Sequence, residues 1–122
     1  MGTVLVVDAA NVVGSRPDGW WKDRAGAARR LHEALLVADT PCDEIVMVLE
    51  GKAKGGVRPG RDAHVRTVHA QGSGDDEIVA QARAAVEAGH RVTVITADRF
   101  LCARVEGHGA TTLGPSWLLD RI

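Results

Sequence analysis

Acidic residues stand where predicted strands end or where a predicted helix begins. They are Asp8, Glu50, Asp75 and Asp98. The first, second and fourth of these follow short runs of mainly apolar, β-branched residues, and the third precedes a segment of helical period. In an open parallel sheet the ligand site lies beyond the carboxyl ends of the strands. The sequence therefore predicts a pocket of carboxylates at that edge.

A pocket of this kind favours a divalent cation. Neighbouring carboxylates repel one another, so a cluster is costly unless protons or a cation neutralise it. No His or Cys stands near these acids at ligand spacing, and hard oxygen ligands suit Mg²⁺ or Mn²⁺. Asp76 is an alternative ligand to its neighbour Asp75. Water on such an ion can attack a phosphodiester while the metal offsets charge on the scissile oxygens.

Most of these acids also have a simpler structural interpretation. Ser73 and Asp76 fit a helix capping box. Asp98 fits the N-cap of the helix that follows it, and Glu50 fits a solvated turn before a glycine. The two interpretations stay open for these positions. For Asp8 the functional interpretation is favoured, because this residue directly follows four apolar strand residues and no glycine turn comes after it.

Short β-branched runs alternate with longer segments of helical period, which is the pattern of βα units that build a parallel sheet. The predicted strands cover residues 3–8, 44–50, 64–69, 91–96 and 110–113. The predicted helices cover about residues 22–38, 74–88 and 98–105, and a last helix opens at Gly114 and Pro115. We expect one α/β domain that spans residues 1–122.

Three segments carry more specific expectations. On the helix at 22–38, an apolar stripe that includes Trp21 and Leu35 is expected to face the core. Residues 51–61 are rich in glycine and poor in apolar side chains, which predicts a mobile loop. Residues 64–69 alternate weakly, which predicts an edge strand exposed on one face.

Overall composition argues against several classes of protein. The chain has 45% hydrophobic and 25% charged residues, as ordinary globular proteins do, and its net charge of −1 gives no overall attraction to nucleic acid or to an anionic membrane. The two cysteines lack metal-binding spacing, which indicates reduced, buried thiols. No signal peptide and no membrane span is predicted, so we expect a cytoplasmic protein.

Four stretches together resemble the NYN domains, and in particular their YacP-like group. Val6–Val13 resembles the D-x-x-N opening strand, and Val48–Gly51 resembles a second strand that ends in an acid before glycine. Gly74–Ile78 resembles the A-D-x-x-I helix start, and Val94–Arg99 resembles the T-x-D motif of PIN-like nucleases. The resemblance implies a PIN-like three-layer α/β/α sandwich with parallel strands in the order 3-2-1-4-5. It also implies metal-dependent cleavage of RNA.

The resemblance extends to individual positions. Asp8, Asp75 and Asp98 fall on the family's metal-binding positions, and Glu50 stands where Asp is more usual. Asn11 falls on the position that supports the first acid or contacts a substrate phosphate. The implied catalytic set is therefore Asp8, Asn11, Asp75 and Asp98, with Mg²⁺ or Mn²⁺ as the cofactor.

Basic and aromatic residues near these motifs are candidates for contacts with RNA. Residues 14–24 are richer in tryptophan than the resemblance predicts, and Trp20 and Trp21 form either a stacking platform for single-stranded RNA or part of the core. The basic stretch at 51–61 supplies either a local positive field or only a solvated surface. The candidate substrate contacts are Asn11, Ser15, Arg16, Lys22, Arg24, Lys52, Lys54 and Arg99.

Three functions remain compatible with the sequence. The first is a metal-dependent endoribonuclease that acts on single-stranded or structured RNA. The second keeps the metal but hydrolyses a smaller phosphate ester, such as a nucleotide. The third is a PIN-like scaffold that binds RNA or protein without cleavage. Self-association as a homo-oligomer is a further expectation, and no membrane partner is expected.

Overall fold

The computed structural model describes residues 2–122, which form a six-stranded sheet with helices on both faces. The strands are β1 (Thr3–Asp8), β2 (Glu44–Leu49), β3 (Gly60–Asp62), β4 (Val65–His69), β5 (Arg91–Ile95) and β6 (Thr111–Leu113). The helices are α1 (Ala9–Gly14), α2 (Arg24–Leu36), α3 (Gly74–Glu87), α4 (Arg99–Glu106) and α5 (Pro115–Leu119). Short 3₁₀ segments cover Trp20–Lys22 and Gly51–Gly56.

The sheet is mostly parallel, with the strand order β3-β4-β2-β1-β5-β6. The central strand β1 pairs in parallel with β2 and β5, so Val7 lies opposite Met47 on one side and Ile95 on the other. The five predicted strands keep their predicted order, but the sheet as a whole differs because β3 is added at the edge and pairs antiparallel with β4. Parallel pairing brings the carboxyl ends of β1, β2 and β5 to one edge.

Helices cover both faces of the central strands, which gives the sandwich three layers. Because successive strand residues point to opposite faces, each buried strand must be apolar on both sides. One face, with Leu5, Val7, Ile45, Met47 and Leu49, packs against α1, α2 and α5. The other face, with Val4, Val6, Val46, Val92 and Val94, packs against α3 and α4.

The first strand ends at Asp8, as predicted, and the chain turns directly into a helix that was not predicted. The carboxylate of Asp8 caps this helix, α1, by accepting the backbone N–H of Asn11 at 3.3 Å. The helix has only six residues, from Ala9 to Gly14, and so short a segment shows no helical period in its sequence. Asn11 therefore lies on the first turn of a helix.

The second helix begins later than predicted, and Trp21 does not belong to its buried stripe. Asp23 is the N-cap and accepts the N–H of Gly26 at 2.8 Å, so α2 starts at Arg24. Trp21 lies before it on a 3₁₀ turn and is 56% exposed. Ala28, Leu31 and Leu35 of the predicted stripe are buried, whereas Ala38 lies beyond the end of α2 at Leu36.

Residues 51–56 and 60–61 form secondary structure, contrary to the mobile loop predicted for residues 51–61 from their glycines. The 3₁₀ segment Gly51–Gly56 packs against α2, and Gly56 lies so close to the backbone oxygen of Ala25 that a β-carbon would overlap it. Ala53 and Val57 pack against the core. The prediction of a mobile loop did not take the packing of these two apolar side chains into account.

Strand β3 takes the edge position that was predicted for residues 64–69. It pairs with β4 and contributes an ion pair between Arg61 and Glu44, whose nitrogen and oxygen are 2.7 Å apart. Val65 and Thr67 of β4 are therefore buried inside the sheet.

The three later helices lie close to their predicted bounds. After α3 the chain turns at Gly89, which has a φ of +90°, a conformation that suits glycine. Pro115 opens α5 at its first turn, and Leu118 is fully buried against the sheet. Within residues 2–122 no helix combines the length and apolar character needed to cross a membrane.

Replacing Leu35 with Ala is expected to lower the free energy of unfolding by about 2–5 kcal/mol, because it leaves a cavity between α2 and the sheet. Val37, two residues later, is 83% exposed, so Val37→Ala is expected to change that free energy by about 0.5 kcal/mol or less. Urea denaturation followed by circular dichroism measures both. Equal losses in the two variants would contradict this packing.

Candidate active site

Asp8 is the central residue of the carboxyl edge. It ends β1 and is only 7% exposed. The hydroxyl of Thr96 donates to Oδ2 of Asp8 at 2.8 Å, and the backbone N–H of Asn11 donates to Oδ1 at 3.3 Å. The carboxylate is therefore held in one orientation by groups from two different segments of the chain.

Asp98 is linked to Asp8 through the same threonine. The backbone N–H of Asp98 donates to the Thr96 hydroxyl at 3.1 Å. Oδ1 of Asp98 accepts the N–H groups of Phe100 and Leu101 at 2.9 and 3.1 Å, which confirms the predicted N-cap of α4. The cap occupies Oδ1, so Oδ2 is the oxygen of Asp98 that can serve a ligand.

The start of α3 separates Asp75 from Asp76. The hydroxyl of Ser73 accepts the N–H of Asp76 at 3.4 Å, which confirms the predicted cap. The side chain of Asp76 is 72% exposed and forms an ion pair with Arg104 at 2.8 Å. Burial and the charges of Asp98 and Glu50 raise the pKa of Asp75. Asp75 is therefore the one of the two that belongs to the acidic edge.

Glu50 binds the first residue of α3 and is more than a solvated turn residue. Its Oε2 accepts the N–H of Gly74 at 2.8 Å. A β-carbon built on Gly74 would lie 2.7 Å from the carboxylate carbon of Glu50, so this close approach requires glycine. The contact ties the end of β2 to the start of α3 and places Asp75 beside the edge.

Crowding of these carboxylates changes their titration. Burial is the main cause that raises the pKa of Asp8 above its ordinary value of 3.8; the charges of Asp75 and Glu50 add to it, and the hydrogen bonds from Thr96 and Asn11 oppose it. With a raised pKa, the contribution of Asp8 to stability is complete below pH 3.8 and is lost as the pH rises through the raised value. At neutral pH a bound cation would relieve this repulsion.

The donor chemistry fits Mg²⁺ or Mn²⁺, although the side chains do not form a finished cage. Within residues 2–122, no group of three or more His, Cys, Asp or Glu side chains is placed to hold a metal ion. Mg²⁺ is commonly held by one or two carboxylates and keeps several of its waters. Metal binding by Asp8, Glu50, Asp75, Asp76 or Asp98 therefore stays a prediction.

Asn11 joins the acidic edge through its side chain as well as its backbone. Its Oδ1 accepts the N–H of Ala97 at 2.8 Å. Since its own N–H binds Asp8, Asn11 connects the first turn of α1 to the segment between β5 and α4. Because the contact with Asp8 comes from the backbone, the role that the resemblance implies for the Asn11 side chain stays a prediction.

Thr96 is the residue of the site that sequence reasoning missed. Within residues 2–122, its hydroxyl makes the only hydrogen bond from another side chain to the Asp8 carboxylate. Thr96 itself is 2% exposed. It stands in the T-x-D motif, but its role was not assigned there. A polar residue at the end of a buried strand, two positions before an acid, is the signal that could have found it.

Some of the side chains predicted to contact substrate interact with other residues of the protein, and others are available at the surface. Ser15 donates to the carbonyl of Val12 at 2.7 Å, and Lys54 donates to the carbonyl of Ala70 at 3.0 Å, so both have structural partners. Arg24 places its guanidinium carbon 5.5 Å from the ring centroid of Trp20. The others are half-buried or exposed: Arg16 is half-buried, and Lys22, Lys52 and Arg99 are exposed.

Comparison with solved structures finds similar folds. A structure of Rae1 (YacP) from Bacillus subtilis has a TM-score of 0.77 and 21% sequence identity, and the match covers 96% of this chain and 71% of that one. A tryptophan-to-leucine mutant of Rae1 gives 0.68 and 19%, with 97% and 73% covered. No protein-family model and no curated protein matches by sequence. At such identities the similarity establishes a shared fold and no more.

The contact between Glu50 and Gly74 predicts energetic coupling between these positions. Gly74→Ala is expected to displace the Glu50 carboxylate and to remove its hydrogen bond, at a cost of about 0.5–1.5 kcal/mol. In a Glu50→Ala background the same substitution is expected to cost nothing, because the partner is already gone. Gly72→Ala is the control, since open space surrounds Gly72.

Urea denaturation of the four variants of this cycle measures the coupling. Additive effects of Glu50→Ala and Gly74→Ala would show that the hydrogen bond does not hold the start of α3.

Proposed function

We propose that the chain is an endoribonuclease that depends on Mg²⁺ or Mn²⁺. One observation carries this proposal: the buried carboxylate of Asp8 lies close enough to Asp75 and Glu50 for their charges to raise its pKa. Like charges gathered around a buried carboxylate are costly, and groups whose pKa values are perturbed in this way cluster at functional sites. A divalent cation would neutralise such a cluster and can also activate the water that hydrolyses a phosphodiester.

Asp8, Asp75 and Asp98 are the residues that would hold the ion. When bound, the ion would supply an activated water and would offset charge on the scissile phosphate. Thr96 and Asn11 fix the orientation of Asp8, and Glu50 acts by holding the first turn of α3. Asp76 is left out of this set, because its carboxylate is paired with Arg104.

RNA is the proposed substrate class on two grounds. The four sequence motifs resemble the YacP-like NYN domains, for which RNA cleavage is implied, and the fold is similar to that of Rae1 (YacP). In addition, exposed cations lie on segments next to the acidic edge: Arg99 follows Asp98 directly, and Lys52 follows Glu50 by two residues. They can supply the local attraction that the net charge does not.

Neighbouring acids on α3 provide the sharpest test. Asp75→Asn is expected to lower Mn²⁺-dependent cleavage of a short single-stranded RNA by more than about 100-fold, because losing a ligand should cost more than losing an outer partner. Asp76→Asn is expected to retain most of the activity, because its carboxylate serves the ion pair with Arg104. Initial rates with labelled RNA measure both, and circular dichroism checks that each variant is folded.

Asp8→Asn is expected to abolish cleavage as Asp75→Asn does, without unfolding the protein. The matched preparation of Asp76→Asn also controls for contaminating ribonucleases. Full cleavage by the folded Asp8→Asn and Asp75→Asn variants, or cleavage unaffected by a chelator, would overturn the proposed function.

A further inference from the structure

A cleft of about 580 Å³ opens beside the acidic edge, between α1, the Trp20 turn and α5. Its walls are mainly apolar and include Trp20, Pro115 and Leu119. Polar atoms come from the amide of Asn11 and the hydroxyl of Ser116. Small-molecule sites of roughly 300–1,000 Å³ typically combine apolar walls with a few polar groups in this way.

The cleft shares residues with the proposed active site. Asn11 lines it and also binds Asp8 through its backbone N–H. Ala97 lines it, donates its N–H to the side chain of Asn11 and directly precedes Asp98. A molecule in the cleft therefore lies next to the carboxylates.

We propose that this cleft binds one unpaired nucleobase of the RNA substrate. A base has apolar faces and a polar rim, which matches a cleft with an aromatic and aliphatic wall and with amide and hydroxyl groups beside it. A base held in a duplex cannot enter, because both its faces are stacked on neighbouring bases and its edge is paired. The cleft thus selects RNA that is single-stranded at the bound position.

Charge beside Trp20 supports an RNA occupant over an uncharged one. The guanidinium carbon of Arg24 lies 5.5 Å from the centroid of the Trp20 ring, and Arg24 is exposed. Trp21 meets Trp20 edge to face, with centroids 6.0 Å apart, and so limits the rotation of the Trp20 ring. Arg24 lies outside the lining of the cleft, so its contribution is a positive charge beside the Trp20 ring that attracts the phosphate backbone of a bound nucleotide.

This inference rests on the proposed function for the identity of the polymer, but base binding does not itself require cleavage. Binding is therefore measured in the presence of a chelator, with the full chain. The probes are a fluorescein-labelled short oligoadenylate and an abasic ribose-phosphate oligomer of the same length. Charge repulsion from the acidic edge acts on both probes, so the ratio of their affinities reports the base alone.

The wild-type protein is expected to bind the oligoadenylate about 5- to 150-fold more tightly than the abasic probe, which is the range for stacking of a base on an aromatic ring. Ser116→Leu narrows the cleft from an exposed position and is expected to lower this preference. Ser116→Ala keeps the cleft open and is expected to retain it. Trp20→Leu, which removes the ring, is expected to lose the preference.

Fluorescence anisotropy titrations give the four ratios. A wild-type ratio near one, or an unchanged ratio in folded Ser116→Leu, would overturn the inference even if RNA is cleaved. Conversely, a protein that prefers the oligoadenylate but does not cleave RNA with Mn²⁺ retains the base site and loses the proposed function.

Discussion

Burial of the Asp8 carboxylate beside other acids is the constraint that organises this end of the molecule. A carboxylate that is 7% exposed is costly to keep charged, and the charges of Asp75 and Glu50 increase that cost. The hydroxyl of Thr96 and the N–H of Asn11 offset part of it by hydrogen bonding to the charged form. A divalent cation would relieve the repulsion that remains. The same buried carboxylate therefore underlies both the structure of this edge and the proposed chemistry.

Parallel topology explains how residues so far apart in sequence meet. Because β1 lies between β2 and β5, the residues that follow these three strands come together at one edge. Glu50 then binds the N–H of Gly74 and brings the start of α3 to the same place. The cleft beside Trp20 extends this edge on the side of α1 and α5, so the proposed base site adjoins the proposed metal site.

Much of this arrangement could be predicted from sequence, because apolar runs and acids at strand ends reflect tertiary requirements directly. Asp8 and the parallel pairing of the main strands follow from such patterns, whereas the order of the strands was implied by the family resemblance. Features that depend on a single contact could not be predicted. The 3₁₀ segment Gly51–Gly56 is ordered by its close packing on α2, and Thr96 is recognised only from its bond to Asp8. Strand β3 needs a partner whose position was itself unknown.

The titration of the Asp8 carboxyl carbon by ¹³C NMR tests the central claim most directly. Without divalent ions, we expect a pKa above the ordinary value of 3.8. Saturating Mg²⁺ is expected to lower this pKa, because the ion favours the charged carboxylate, and Asp75→Asn is expected to lower it in the absence of metal. A pKa at the ordinary value that neither Mg²⁺ nor Asp75→Asn changes would contradict the account, since Asp8 would then stand alone at the edge of the sheet.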